Sequence, residues 1–288
     1  MLTVFTPTYN RAEKLNRLFD SLCSQTCCDF EWLIIDDGSV DLTNEVVKAF
    51  SDNAEFPVRY VYKENGGKHT AYNLALELAC GDWFLCVDSD DMLAENAVEI
   101  ILNSVQKTNT NTGFVAYKSD FSGRLLSEVF PEGLARTQMH RLSMEHGCSG
   151  EFSLVFNTDF ARQFLFPVFP GERFVTENVI YDRMDQHGEM KLLPEVITIC
   201  EYQADGYSQN ANSVMKNNPT GYCLYFLQRI DLQTSLLQRM IHAGKYWSFR
   251  WISGNRELTY KGKHRLLVAL AVIPGAVFRL YYKMFRGI

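Results

Sequence analysis

Three carboxylates are crowded into four consecutive residues, Asp88-Ser89-Asp90-Asp91. They follow an apolar segment, Trp83 to Val87, that the pattern predicts to be a buried strand. Like charges this close repel one another unless cations or hydrogen-bond donors compensate them, so binding of a hard divalent cation such as Mg²⁺ or Mn²⁺ is one interpretation. A solvated turn in which an aspartate caps the next helix is the other, and the cluster alone leaves both open.

Two further motifs stand near predicted strand ends. Asp36-Asp37-Gly38-Ser39 follows the apolar segment Trp32 to Ile35, and a carboxylate there can accept a hydrogen bond from a nucleobase N–H. Gly66-Gly67-Lys68 precedes a predicted helix, so its glycines permit close approach to a ligand and Lys68 supplies a cation for phosphate. It is not a Walker loop, because His69 stands where serine or threonine is required.

Strands and helices alternate over the first ~120 residues, which predicts an α/β fold with a doubly wound, mostly parallel sheet. In such a sheet, ligands bind beyond the carboxyl ends of the strands, where these motifs stand. Asn10 with Glu13 predicts a capping box, and further strands are predicted near Leu125 to Phe130 and at Ser153 to Asn157, both at sheet edges. Asn218-Pro219 predicts the start of a helix running to about Met240.

Four motifs occur in chain order: Thr6-Pro7-Thr8-Tyr9-Asn10-Arg11, Asp36-Asp37-Gly38-Ser39, Gly66-Gly67-Lys68 and Asp88-Ser89-Asp90. This arrangement resembles a family 2 inverting glycosyltransferase of the GT-A fold over residues 1 to about 120, and more loosely to about 221. The resemblance implies a glycosyltransferase domain at 1–218, with a donor half at 1–120 and an acceptor half at 121–218. The resemblance does not extend to the tail, and we predict a helical extension at 219–288. It also implies metal binding by Asp90 and donor binding by Thr6, Pro7, Tyr9, Asp37, Lys68, Asp88 and Ser89.

The segment Gly171 to Asn178 resembles the acidic motif on the acceptor side of the same family. Many members carry a Glu-Asp pair whose aspartate is the general base, whereas this chain has Asn178 at the second position, and asparagine cannot take up a proton at neutral pH. We therefore predict that Glu177 is the catalytic base, with Glu172 as the second candidate. A pair of surface carboxylates is the alternative. Residues 205–210 resemble a further family segment that closes over the donor.

The charge pattern limits the partners. A net charge of -6 argues against a protein that coats nucleic acid, yet the segment from Lys261 to Ile288 has three lysines, three arginines and no acidic residue. Its apolar run, Leu266 to Phe278, has 13 residues and is too short to span a bilayer. We expect this segment to lie on an anionic membrane surface or to pack on the catalytic body.

The start of the sequence and the eight cysteines bear on the compartment. No signal-like segment opens the sequence, and the cysteines show no metal-ligand spacing, which is typical of reduced core thiols. We therefore predict a cytoplasmic protein, peripheral on the inner face of the cell membrane.

The resemblance implies transfer of a sugar, with inversion, from a nucleotide diphosphate donor to an acceptor hydroxyl. UDP-sugars are the family expectation for the donor, and a glycan or lipid-linked glycan in surface polysaccharide or glycolipid biosynthesis is the expected acceptor. A nucleotidyltransferase would use a similar acidic metal site but needs a glycine-rich triphosphate loop, which does not open this chain. A non-catalytic nucleotide-sugar-binding protein of the same fold is the other alternative, because Asn178 departs from the family pattern.

Overall fold

The structure, a computed structural model, describes residues 1–107, 110–200 and 211–288. The described residues divide into two compact units. Unit 1 comprises residues 1–165 and 184–200, and unit 2 comprises residues 166–183 and 211–288. The division does not coincide with the predicted boundary at residue 218, because residues 166–183 group with the C-terminal helices.

The described part of unit 1 contains one sheet of nine strands in the order β3-β2-β1-β4-β8-β6-β9-β5, with β7 beside β9. The strands are β1 (Leu2–Thr8), β2 (Phe30–Asp36), β3 (Val58–Tyr62), β4 (Trp83–Cys86), β5 (Met92–Leu93), β6 (Gly113–Asp120), β7 (Arg136–Thr137), β8 (Phe152–Asn157) and β9 (Met190–Cys200).

The first four strands are parallel to one another, with β1 between β2 and β4. Their carboxyl ends therefore meet at one edge, where Thr8 pairs with Asp36. Strand β8 runs antiparallel to β4 and β6, and β9 runs parallel to β6. The predicted α/β class is confirmed, with parallel pairing among the first four strands.

Helices flank the sheet because their apolar faces match its buried strands. A 3-10 turn (Ala12–Lys14) leads into α1, which buries Leu15, Leu18 and Leu22 against a core that also contains Trp32 and Phe30. The helices of unit 1 are α1 (Leu15–Cys23), α2 (Thr43–Asn53), α3 (Lys68–Leu78), α4 (Ala97–Gln106), α5 (Met139–Met144) and α6 (Thr158–Ala161). The next helix along the chain, α7 (Asn178–Met184), belongs to unit 2 apart from its last residue.

Three predictions about local structure in unit 1 are wrong. No strand covers Leu125 to Phe130, which makes only isolated bridges. Strand β8 is central rather than at an edge, since it lies between β4 and β6. The capping box does not form, because the Asn10 side chain accepts a hydrogen bond from the Val40 N–H and the Ala12 N–H donates to Asp41. These contacts tie the loop after β1 to the loop after β2.

Unit 2 is helical in its C-terminal part. Its helices are α8 (Ala211–Asn217), α9 (Pro219–Leu232), α10 (Leu236–Ser253), α11 (Arg265–Leu270) and α12 (Val272–Tyr281), and a π-helical turn (Tyr282–Arg286) follows. The predicted start at Asn218-Pro219 is confirmed, whereas the predicted single helix to Met240 is interrupted between Leu232 and Leu236. The core between these helices is rich in aromatic side chains, notably Phe226, Tyr246 and Phe249.

Candidate active site

The acidic cluster after β4 is charge-compensated by basic side chains of unit 1. Lys68 Nζ lies 2.7 Å from Asp88 Oδ1, and Arg11 Nη1 donates to Asp90 Oδ2 at 3.0 Å. Lys118 Nζ lies 3.3 Å from Asp91 Oδ2. Each of the three carboxylates therefore faces one cation, so the repulsion inferred from the sequence is relieved within the fold.

These cations act against the effect of burial on Asp88. Burial alone would raise the pKa of Asp88, but the ammonium groups of Lys68 and Lys118 and the guanidinium of Arg11 hold it below its usual value. Asp88 is the most exposed of the three carboxylates, with 39% of its side chain accessible against 14% for Asp90 and 8% for Asp91. A charged, accessible carboxylate at a strand end is suited to contact a ligand.

Lys118 and Asp91 form an ion pair that the sequence analysis did not predict. Burial would lower the pKa of Lys118, but the carboxylates of Asp91 and Asp88 raise it above its usual value, so the ammonium group stays charged. Burial raises the pKa of Asp91, with a smaller contribution from Asp88, against the opposing effect of Lys118. A lysine in the buried strand β6 was the available signal, since buried charges need partners.

The Asp37 carboxylate holds the glycine loop before α3. Its Oδ1 accepts hydrogen bonds from Lys63 Nζ at 2.6 Å and from the Gly66 N–H at 2.9 Å, and its Oδ2 accepts from the Gly67 N–H at 2.7 Å. Gly67 has a positive φ of 92°, which favours glycine. Asp37 thus shapes the turn that presents Lys68, in addition to any contact with a ligand.

The end of β1 divides the residues that the resemblance assigns to the donor. Thr6 is fully buried and its hydroxyl accepts a hydrogen bond from Trp32 Nε1 at 2.9 Å, so its side chain takes part in packing, and its predicted contact with the donor stays a prediction. Ser89 is also buried. Pro7 is partly exposed and Tyr9 is exposed at 47%, so their rings are accessible to a planar base.

In unit 2, Glu172 caps α9. Its Oε1 accepts a hydrogen bond from the Thr220 N–H at 2.6 Å and its Oε2 accepts from the Gly221 N–H at 2.9 Å. The carboxylate therefore satisfies two of the amides that a helix N-terminus leaves without partners, next to the positive end of the helix dipole. Asn218 takes a different part, because its Oδ1 accepts from the Arg173 and Phe174 N–H groups. These contacts give Glu172 a role in holding the start of α9, and its part as the second candidate for the base stays a prediction.

Glu177 stands immediately before α7 and is partly buried. Its carbonyl accepts hydrogen bonds from the Ile180 and Tyr181 N–H groups, which fixes the first turn of the helix. Burial raises the pKa of the Tyr222 phenol to about 12, and the nearby charge of Glu177 adds to this shift.

Arg229 of α9 explains the environment of the residue that departs from the family pattern. Its Nη2 donates to Asn178 Oδ1 at 3.1 Å, and its Nε donates to the buried Asp182 at 2.7 Å. One guanidinium therefore bridges two residues one turn apart on α7. Asn178 therefore accepts a hydrogen bond from Arg229, and its neutral amide cannot act as a base.

The carboxylate oxygens that follow β4 are ligands of the kind that Mg²⁺ or Mn²⁺ prefers. Among the described residues, no three His, Cys, Asp or Glu side chains converge on a common metal position. Residues 205–210, which resemble a family segment that closes over the donor, lie outside the described residues.

Comparison with known proteins decides the family. A family model described as Glycosyl transferase family 2 matches residues 3–164, which is more than half of the chain. The chain belongs to glycosyl transferase family 2. The resemblance inferred from the four motifs is thereby confirmed. The family match ends at residue 164, just after α6.

The matches between this family 2 chain and its curated relatives cover only part of each relative's length. Chondroitin synthase of Pasteurella multocida is 39% identical over 111 residues, covering 38% of this chain and 11% of the relative. Glycosyltransferase GlyG of Streptococcus pneumoniae is 33% identical over 114 residues, covering 38% and 37%. The matched segments thus span well under two thirds of these relatives.

Solved structures share the fold over nearly the whole chain. The crystal structure of S. aureus TarS 1-349 in complex with UDP-GlcNAc has a TM-score of 0.63 at 16% identity, covering 98% of this chain and 91% of that one. Mannosyltransferase PcManGT from Pyrobaculum calidifontis, in complex with GDP-Man and Mn²⁺, has a TM-score of 0.54 at 18% identity, covering 99% and 83%. At these identities the likeness shows the GT-A fold.

Proposed function

We propose that the protein transfers a sugar from a nucleotide diphosphate donor, a UDP-sugar, to an acceptor hydroxyl with inversion of the anomeric centre. The observation that carries the proposal is the accessible Asp88 carboxylate paired with Lys68 at the carboxyl end of the parallel strands. Family membership and neighbours crystallised with UDP-GlcNAc and GDP-Man support a nucleotide-sugar ligand.

The donor would lie along the strand ends of unit 1. Pro7 and Tyr9 would contact the base, and Asp37 would accept a hydrogen bond from it with capacity left on Oδ2, which the glycine loop uses once. Lys68 would turn from Asp88 towards the diphosphate, leaving Asp88 to accept hydrogen bonds from ribose and sugar hydroxyls. Both residues are at least partly exposed, so this exchange requires no rearrangement of the sheet.

Asp90 would hold a divalent cation. A nucleoside diphosphate leaves readily only when its developing negative charge is stabilised, and Mg²⁺ or Mn²⁺ supplies that stabilisation. Asp90 can serve because its present partner is a side chain, Arg11, that can move away. The Mn²⁺ in the PcManGT complex supports use of a divalent cation.

Glu177 would act as the base on the acceptor side. In a single displacement the acceptor hydroxyl attacks opposite the leaving nucleotide, so a carboxylate must remove its proton. The segment Gly171 to Asn178 resembles the acidic motif on the acceptor side of the family, and Asn178 has no basic oxygen. The neighbouring Glu177 is a partly buried carboxylate, which supports this role.

The acceptor would be a glycan or a lipid-linked glycan of surface polysaccharide or glycolipid biosynthesis. The relative named chondroitin synthase supports a glycan acceptor, and the basic C-terminal segment is compatible with a substrate held at a membrane. Peripheral attachment to the inner face of the membrane would place the enzyme beside such a substrate.

A panel of nucleotide sugars, scored by release of nucleoside diphosphate with and without Mn²⁺, tests the proposal. We expect one class of donor to be turned over with Mn²⁺ and Asp88→Asn to release little product. Asp52→Asn, which alters an exposed carboxylate of α2, is the matched control and should be unaffected. Metal-dependent binding without turnover of any donor would instead assign a non-catalytic nucleotide-sugar-binding protein.

A further inference from the structure

Helices α11 and α12 have one buried face. Val268, Ala271, Gly275 and Tyr282 are buried there, and Phe278 packs against the same core of unit 2. Their spacing of three and four residues defines a single helical face. A Cβ added at Gly244 of α10 would lie 3.0 Å from the Phe278 ring, which shows how closely this face is packed.

The opposite face is also apolar, yet it is exposed. Six residues recur at the same three-and-four spacing and are each 59–75% accessible, and we call them the outer stripe: Leu266, Leu270, Ile273, Val277, Leu280 and Met284. A surface helix normally presents polar residues on this side. A contiguous row of large apolar side chains in water is unfavourable and is typical of a surface that meets a partner.

The charge around the outer stripe identifies the kind of partner. The segment from Lys261 to Ile288 carries six basic residues and no acidic ones, and all six are exposed. A second copy of the chain docking through this stripe would bring two such segments together, and their like charges would repel. An anionic lipid surface offers both an apolar layer and the opposite charge.

The length of the helices determines how they can meet a bilayer. No helix in the described residues is long and apolar enough to span a membrane. Exposed Tyr281 and Phe285 add aromatic rings beside the stripe, and such rings favour the boundary between headgroups and acyl chains. An interfacial position, parallel to the membrane plane, satisfies both observations.

We infer that the outer stripe of α11 and α12 inserts into the headgroup region of an anionic membrane, with the surrounding basic residues held at lipid phosphates. Insertion is shallow, because the opposite face of the same helices is committed to the core of unit 2. The inference goes beyond sugar transfer, since it concerns where the protein resides and does not depend on any donor being turned over.

Binding of the full chain to vesicles tests this inference. We expect tight binding to vesicles of phosphatidylcholine with phosphatidylglycerol and weak binding to phosphatidylcholine alone, with the difference lost at high salt because charges are screened. The double variant Ile273→Gln with Val277→Gln should bind the anionic vesicles at least roughly 10-fold more weakly than the unaltered chain, since it removes apolar area without changing charge. Both positions are exposed, so the fold should be retained, and a melting curve checks it.

The matched control is Leu42→Gln with Val129→Gln, which removes two similarly exposed apolar side chains from unit 1 and should bind as the unaltered chain does. Arg279→Gln with Lys283→Gln should reduce the dependence on salt. Equal binding of the Ile273/Val277 variant and the unaltered chain would overturn the inference, as would no preference for anionic vesicles. A dimer in solution that the Ile273/Val277 variant abolishes would assign the stripe to a second copy of the chain instead.

Discussion

The acidic cluster after β4 and Glu172 differ in what holds their carboxylates. In unit 1, Asp88, Asp90 and Asp91 each face the ammonium or guanidinium group of a side chain. In unit 2, both oxygens of Glu172 accept hydrogen bonds from backbone amides at the start of α9. A side chain can swing away when a ligand brings its own positive charge, whereas a helix amide cannot leave without fraying the helix.

This difference separates exchangeable carboxylates from fixed ones, although both stand in segments that the sequence marks as functional. Glu177 stands immediately before α7, near the Tyr222 phenol, and is tested separately as the proposed base. Four substitutions test whether the partner of a carboxylate predicts its role.

The largest effect is expected at Asp90, the exchangeable carboxylate proposed for the metal. Asp90→Asn should abolish the dependence of donor binding on Mn²⁺, because a neutral amide oxygen attracts a divalent cation far less than a carboxylate does. Calorimetric titration of UDP with and without Mn²⁺ measures this, and Asp52→Asn is the control. Unchanged metal dependence in Asp90→Asn, or full activity of the unaltered chain in excess EDTA, would remove the metal role.

Next in size is Glu177, the proposed base. Glu177→Gln keeps the shape and removes the proton acceptor, so turnover should fall by roughly 10²-fold or more while donor affinity stays the same. Glu257→Gln changes an exposed glutamate of the same unit and should be silent. Near-normal turnover in Glu177→Gln would move the base to another carboxylate.

Glu172 should affect stability instead of chemistry. Glu172→Ala removes the cap of α9, and the free energy of unfolding should fall by about 1–2 kcal/mol. Chemical denaturation measures this loss, and turnover per folded molecule should remain close to that of the unaltered chain. A large loss of turnover with unchanged stability would return Glu172 to the candidates for the base.

Arg11 should give the smallest effect and the sharpest test of exchange. If its guanidinium competes with the cation for Asp90, Arg11→Gln should bind Mn²⁺ alone roughly 2- to 5-fold more tightly, the range expected for losing a partly exposed ion pair. Paramagnetic resonance of free Mn²⁺ reports this without turnover. Arg17→Gln, which alters an exposed arginine of α1, is the control, and weaker Mn²⁺ binding in Arg11→Gln would contradict competition.

The elements of the donor side were predictable because local patterns determine them. Apolar runs followed by Asp36 or Asp88 indicated both a buried strand and its functional end, and β2 and β4 lie at the predicted segments. Strand β9 was missed, since Pro194 and Glu195 interrupt its apolar residues and its pairing with β6 is long-range and irregular.

Partners distant in sequence account for the rest. The pairing of Lys118 with Asp91 spans 27 residues, and the bond from Thr220 to Glu172 spans 48. No local pattern predicts such contacts. The sequence indicated Glu177 as the base with Glu172 as the second candidate, but it could not show that the start of α9 binds the Glu172 carboxylate.

The most direct test of the central claim, a single displacement on a nucleotide-sugar donor, is the anomeric configuration of the sugar first formed when water takes the place of the acceptor hydroxyl. Proton magnetic resonance can follow the early product of donor turnover with Mn²⁺ before the free sugar mutarotates. The account predicts the anomer opposite to that of the donor, with Glu177→Gln slowing its appearance. Release of the same anomer as the donor would contradict it, because retention requires a different mechanism.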